Sequence, residues 1–143
     1  MPRDELDELQ RESHIYLLPS ARIHIVSVLQ AMSYGQVVVA ADGWGVEEYL
    51  EHERTGLVVP GRAGKVSWIE RETGILREDY RPLYASDPSV VEGLVGAVSR
   101  LVEDHDLRKK LGRGARKAVE TRYTLDQWNA ALKAVFDKAR AAG

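Results

Sequence analysis

Val37-Val38-Val39-Ala40-Ala41, set between Gln36 and Asp42, is the stretch on which the fold turns. A run with no polar side chain has no face to offer to water, so a strand built from it is buried on both sides. That is the mark of a parallel sheet covered by helices. Upstream, Gly35 is placed to close a helix running from about His24 to Tyr34, whose apolar residues fall at helical spacing. Before that helix, Ile15-Tyr16-Leu17-Leu18 reads as a buried strand stopped by Pro19 and Ser20. Downstream, Gly45 to Glu51 reads as a short helix, Thr55-Gly56 as a turn, and Leu57-Val58-Val59 as a third strand ended by Pro60. Strand, helix, strand, helix, strand within about 45 residues implies right-handed crossovers. The fold class is therefore α/β: a doubly wound arrangement with a short parallel sheet and flanking helices.

Around this core the punctuation changes. Asp4 to Arg11 forms a short polar helix with Leu6 and Leu9 three apart. Between residues 61 and 86, Lys65 to Ile69 and Ile75 to Arg77 flank Glu72-Thr73-Gly74, which predicts a small hairpin. Asp87 is an N-cap with Pro88 in the first helical position. The helix that follows runs to Asp104 and is expected to bury Val91, Leu94, Val95, Val98, Leu101 and Val102. A second helix covers Asp106 to about Arg122. A third opens on Thr124-Leu125-Asp126-Gln127, which has capping-box spacing, and its apolar face is Trp128, Leu132, Val135 and Phe136. Residues 1–143 thus read as one domain: a core over 1–60, an inserted hairpin or loop over 61–86, and C-terminal helices over 87–143.

Composition narrows the function. The 143 residues are 44% apolar and 29% charged, with a formal net charge of −2, which describes a globular domain rather than a disordered tail. Near-neutral charge speaks against a nucleic-acid binder, which needs a basic excess to displace counterions from phosphates. There is no cysteine, which excludes a disulfide scaffold, a zinc-thiolate site and a cysteine nucleophile. His14, His24, His52 and His105 show no metal spacing. Arg3, Asp4, Glu5, Asp7, Glu8, Arg11 and Glu12 leave no room for a signal peptide, and no apolar stretch approaches a bilayer span. A cytoplasmic protein is expected.

One set of blocks goes further. Leu17-Leu18-Pro19-Ser20, then Val28 to Ala40, then Glu48 to Pro60, and finally Asp87 to Tyr123 stand in the order seen in a known family. Together they resemble the C-terminal domain of the GT4-type (group 1) glycosyltransferases, retaining enzymes of GT-B fold that use nucleotide-sugar donors. The resemblance implies a donor site at the carboxyl end of the first strand. There a helix N-terminus offers backbone N–H groups and partial positive charge to a diphosphate. On this chain the implied substrate-binding residues are Arg22, Ile23, His24, Ile25 and Ser27 at the loop–helix junction. Gln30 stands at the position of a ribose-binding carboxylate, and Gly43, Trp44, Gly45 and Val46 form the loop after the second strand. The donor would be UDP- or GDP-linked. No cofactor and no obligatory metal is implied, because the helix end can neutralise the leaving diphosphate.

The chain departs from the family at the chemistry. The family carries two glutamates separated by seven residues with Gly-aromatic-Gly after the first. Here those positions hold Arg22 and Gln30, with Ile23, His24 and Ile25 between, and the spacing holds only with one residue deleted after Ser20. Arg22 can pair with a phosphate but cannot act as an acid, whereas Gln30 can still hydrogen-bond a ribose. No residue is assigned to catalysis. Two functions stay open: the donor-binding portion of a retaining glycosyltransferase, or a non-catalytic, degenerate half-domain serving assembly or regulation. The family has further strand–helix units before the position of Ile15, so the resemblance implies a single truncated GT-B C-terminal-like domain over 1–143, a partial Rossmann-like unit. The edge of that strand is therefore expected to be covered by a second copy or by a companion subunit. Trp44 can stack on a base or seal the sheet, and Glu48 matches a common family glutamate or simply complements a helix N-terminus. Arg108, Lys109, Lys110, Arg113, Arg116, Lys117 and Arg122 form either a solvated face or one that meets an anionic surface such as lipid headgroups.

Overall fold

The computed structural model describes residues 2–19, 24–43, 45–60, 73–74 and 86–141. Along the chain come α1 (Arg3–Glu12), β1 (Ile15–Leu18), α2 (Ile25–Ser33), β2 (Val37–Ala41), α3 (Val46–Tyr49) and β3 (Gly56–Val59). The helices α4 (Pro88–Glu103), α5 (His105–Arg122) and α6 (Leu125–Ala141) follow. The strands form a three-stranded parallel sheet in the order β1-β2-β3. Ile15 stands opposite Val37 and Leu18 opposite Ala40, while Val38 stands opposite Gly56 and Ala41 opposite Val59. This is the α/β architecture expected from the sequence. The hairpin expected within 61–86 falls almost wholly outside the described residues.

All five residues of β2 are buried, and the pleat sends them alternately to two cores. Val38 and Ala40 pack with Val28, Ala31 and Met32 of α2, Val46 and Leu50 around α3, and Ala115 and Ala118 of α5. Val37, Val39 and Ala41 join Leu57 and Val59 of β3, Val90, Leu94 and Leu101 of α4, and Leu111 of α5. α5 therefore serves both cores. It does so by crossing the amino end of the sheet at very short range. A Cβ on Gly112 would run into the carbonyl oxygen of Gly35, and one on Gly114 into that of Arg54. Only glycine lets backbone meet backbone this closely.

Caps set the helix boundaries. Gly35 adopts φ 77°; its N–H donates to the Met32 carbonyl and that of Gln36 to the Ala31 carbonyl, the paired bonds of a Schellman ending. Asp87 accepts from the Ser89 N–H at the start of α4, and Asp104 from the Leu107 N–H at the start of α5. Thr124 accepts from the Gln127 N–H at 3.3 Å, but the Gln127 side chain turns to the Thr121 carbonyl, so only half of the predicted capping box forms. α1 is held by Tyr34, whose hydroxyl donates to Asp7, and by the buried Gln36, whose amide reaches the backbone and side-chain oxygens of Gln10.

Two expectations are corrected. Among the described residues β1 lies at the edge of the sheet, with Leu17 47% exposed rather than fully buried, because β2 occupies one of its sides. On α4, Leu94 and Leu101 are buried as expected, yet Val91, Val95 and Val102 are 51–62% exposed and Val90 takes a core place instead. The helix offers apolar residues around more than half its girth, and periodicity alone does not choose which arc meets the sheet.

Candidate functional site

All three strands run the same way, so Leu18, Ala41 and Val59 end at one edge of the sheet. Pro19, Asp42 and Pro60 follow them there; a proline has no N–H to extend a ladder. The Asp42 N–H reaches across to the Val59 carbonyl at 2.6 Å, tying the second and third tips together. Loops leave this edge for α2 and α3, which lie on one face of the sheet and share a core.

α2 begins at Ile25 with His24 as N-cap, at φ −102° and ψ 78°, without a side-chain cap bond. The first intrahelical bond is Val28 N–H to the His24 carbonyl, 2.9 Å. The amides of Ile25, Val26 and Ser27 thus precede the hydrogen-bond ladder, and by helix geometry they are directed back toward the strand tips. The first turn contains no acidic side chain, so the partial positive charge of the helix end is not offset from within. His24 and Ile25 are exposed, while Ser27 and Gln30 are half-buried.

After β2, Gly43 leads to Gly45, which takes φ 81°, a left-handed conformation that favours glycine. The Gly43 carbonyl accepts from the Val46 N–H at 3.3 Å. Val46 itself is 5% exposed and belongs to the core beneath the loop, so its side chain supports the loop from below. Arg22, Ile23 and Trp44 lie outside the described residues. The remaining predicted positions therefore stand in two groups on the carboxyl side of the sheet. His24, Ile25 and Ser27 lie at the start of α2, with Gln30 more than one turn into the helix; Gly43, Gly45 and Val46 form the loop into α3.

A clamp that sequence reasoning missed holds α3. The Tyr123 hydroxyl donates to the Glu48 carbonyl at 2.8 Å, and its ring lies 5.9 Å from that of Tyr49. Arg122 pairs with Glu51, which also meets Arg54. The Arg122 guanidinium, with help from Arg54, holds the Glu51 carboxyl below the usual range. Burial pushes the Tyr123 phenol up. No local signal in the sequence announces these pairs, which join residues 71 and 75 apart. Arg122 is thereby removed from the basic face, as are Arg108, which donates to the Leu101 carbonyl, and Arg116, paired with Glu120. Lys109, Lys110, Arg113 and Lys117 remain exposed on α5. Among the described residues, no helix is long and apolar enough to cross a membrane.

Comparison with known proteins supports a family and the fold. The family model described as "Glycosyl transferases group 1" matches residues 1–78. No curated protein sequence matches the chain. Among solved structures, sucrose-phosphate synthase from Thermosynechococcus elongatus superposes on the whole chain with a TM-score of 0.68 at 19% identity. The C-terminal domain of a glycosyl transferase group 1 family protein from Francisella tularensis covers 87% of the chain with a TM-score of 0.58 at 16% identity. At such identities the likeness is one of fold. The chain spans 29% of the first protein's length and 50% of the second's.

Proposed function

This chain belongs to the glycosyl transferases group 1 family, and on that premise we propose that it is the donor-binding portion of a GT4-type retaining glycosyltransferase. The observation that carries the reading is the start of α2, whose first amides face the carboxyl edge of a parallel sheet with no acidic side chain in the first turn. A nucleotide diphosphate lies with its phosphates on those amides. The Gly43–Gly45 loop approaches the sugar by its backbone, and Gln30 bonds the ribose through its amide. Arg22 adds a cation for the phosphates and His24 a hydrogen bond at the helix start. When the sugar departs with its anomeric configuration retained, negative charge grows on the diphosphate, and the helix end stabilises it without requiring a metal.

Residues 1–143 act in this reading as one GT-B C-terminal-like domain in the cytoplasm. The open side of β1, where Leu17 is 47% exposed, is covered by a companion subunit or a second copy. Arg22 and Gln30, standing where the family has acids, favour a second reading: a half-domain that has lost transfer and serves assembly or regulation.

Thermal unfolding with UDP or GDP separates the two. Ligand at about a hundred times its Kd stabilises the folded state by about 2.7 kcal/mol, a rise in Tm of roughly 5–10 °C for a domain of this size. Gln30→Ala is expected to lower that rise while leaving the ligand-free Tm within about 2 °C. A flat response across nucleotides overturns donor binding and leaves the second reading. Retention itself is read from the anomeric configuration of the product by NMR.

A further inference from the structure

The two helices beside the proposed donor site are held in different ways. α2 has nine residues and buries Val28, Ala31 and Met32 completely, so its first turn stands on packing of its own. α3 has four residues, a single turn, and a turn that short does not keep its shape by its own hydrogen bonds. Val46 and Leu50 seat it in the core at 5% and 3% exposure. Its further hold comes from the end of α5.

Three backbone bonds make α3 and the loop before it one body. The Val46 N–H donates to the Gly43 carbonyl at 3.3 Å, that of Glu48 to the Gly45 carbonyl at 3.2 Å, and that of Leu50 to the Val46 carbonyl at 2.8 Å. The last carbonyls of a helix have no partner within it, and for Glu48 the Tyr123 hydroxyl supplies one at 2.8 Å. Tyr123 closes α5: its N–H still donates to the Val119 carbonyl, while its backbone leaves the helix at φ −121° and ψ 37°. Arg122, one residue earlier, pairs with Glu51 just beyond α3. Burial pushes the Tyr123 phenol up, which keeps the proton on the donor. At its other end the loop is tied by the Asp42 N–H to the Val59 carbonyl. The loop thus hangs between two bonds, one to β3 and one to Tyr123.

We propose that Tyr123 is a positioning residue for the sugar half of the donor site: its hydroxyl, through the Glu48 carbonyl, sets where the Gly43–Gly45 loop stands at the carboxyl edge of the sheet. The role rests on the donor-binding reading, in which α2 takes the phosphates and this loop the sugar. Tyr123 acts through α3 and not by touching the ligand. Without the hydroxyl, α2 keeps its place and most of its hold on the diphosphate, whereas the loop loses its register with the sugar.

Tyr123→Phe removes the hydroxyl and keeps the ring that lies 5.9 Å from that of Tyr49. Tyr34→Phe is its match, removing a hydroxyl that donates to Asp7 on α1 at 2.9 Å. The full chain and both variants are titrated calorimetrically with UDP, GDP, UDP-glucose and GDP-mannose. In Tyr123→Phe, affinity for the nucleotide sugar is expected to fall about five- to tenfold and for the bare nucleotide about twofold at most, while Tyr34→Phe keeps the ratio of the two. Without ligand, hydrogen exchange at the Glu48 and Leu50 amides is expected to quicken about fivefold in Tyr123→Phe, with the Val28 amide unchanged. If no nucleotide sugar binds the wild type, the loop is not the sugar side of a donor site, and this role falls with that reading. If the wild type binds and Tyr123→Phe weakens sugar nucleotide and nucleotide alike, the role is overturned while the donor site stands. Unchanged exchange at Glu48 and Leu50 overturns the positioning whatever binds.

Discussion

The two ends of the sheet are built on opposite plans. At the amino end, α5 presses Gly112 and Gly114 against the carbonyls of Gly35 and Arg54, and the contact leaves no space for a methyl group. At the carboxyl end, Gly45 takes φ 81° with open space around the position of its missing Cβ. The first-turn amides of α2 face the same edge. One glycine set therefore permits contact between elements, and the other permits a turn of the backbone. Cohesion is gathered at the first end and, in the proposed reading, chemistry at the second, where loops can vary without loosening the core.

The largest test of that division is Gly112→Val. Its side chain must displace backbone rather than a flexible neighbour, so the expected loss is about 3 kcal/mol or more, read from urea unfolding. A loss below 1 kcal/mol would mean that the amino end yields, and the contrast would fail. Gly45→Ala should cost less, about 1–2 kcal/mol for the left-handed backbone, but it should also remove any nucleotide-induced rise in Tm. If it lowers stability alone, the loop does not serve the site. Tyr123→Phe removes one hydrogen bond to the Glu48 carbonyl and should cost about 1 kcal/mol. Because that bond positions α3, it should also weaken nucleotide binding more than its effect on stability would suggest.

The smallest expected effect is electrostatic. Arg122 and Arg54 lower the Glu51 carboxyl from its ordinary value of 4.5. A carboxylate more acidic in the folded than in the unfolded state adds stability above the unfolded value, and that stability disappears as the pH falls through the folded one. The wild type should therefore lose slightly more stability than Glu51→Gln when the pH drops below about 4.5. Both groups are exposed, so 1 M salt should narrow the difference. An equal acid response in the two proteins would remove Glu51 from the clamp.

Much of the fold was legible because it rests on local rules. Val37–Ala41 has no polar face to present to water, Gly35 suits a left-handed helix ending, and Asp87-Pro88 suits a helix start; each is found in that role. The proposed donor site could be read only as a place, the segment and helix after β1, through the order of family blocks. Its support could not be read. Tyr123 reaches Glu48 across 75 residues, and no periodicity reports such a distance. Val46, read as a ligand contact, is set beneath its loop as part of the core.

Backbone propensity and apolar patterning, which act between near neighbours in the chain, determined by themselves that this protein is a parallel α/β unit, with its strands and helices where they are. Which arc of α4 meets the sheet, which partners α5 approaches through its glycines, and which apolar faces stay bare were decided only in three dimensions. Those outcomes depend on how close-packed bodies share a limited surface. A valine carries the same driving force toward burial whether or not another element arrives to cover it.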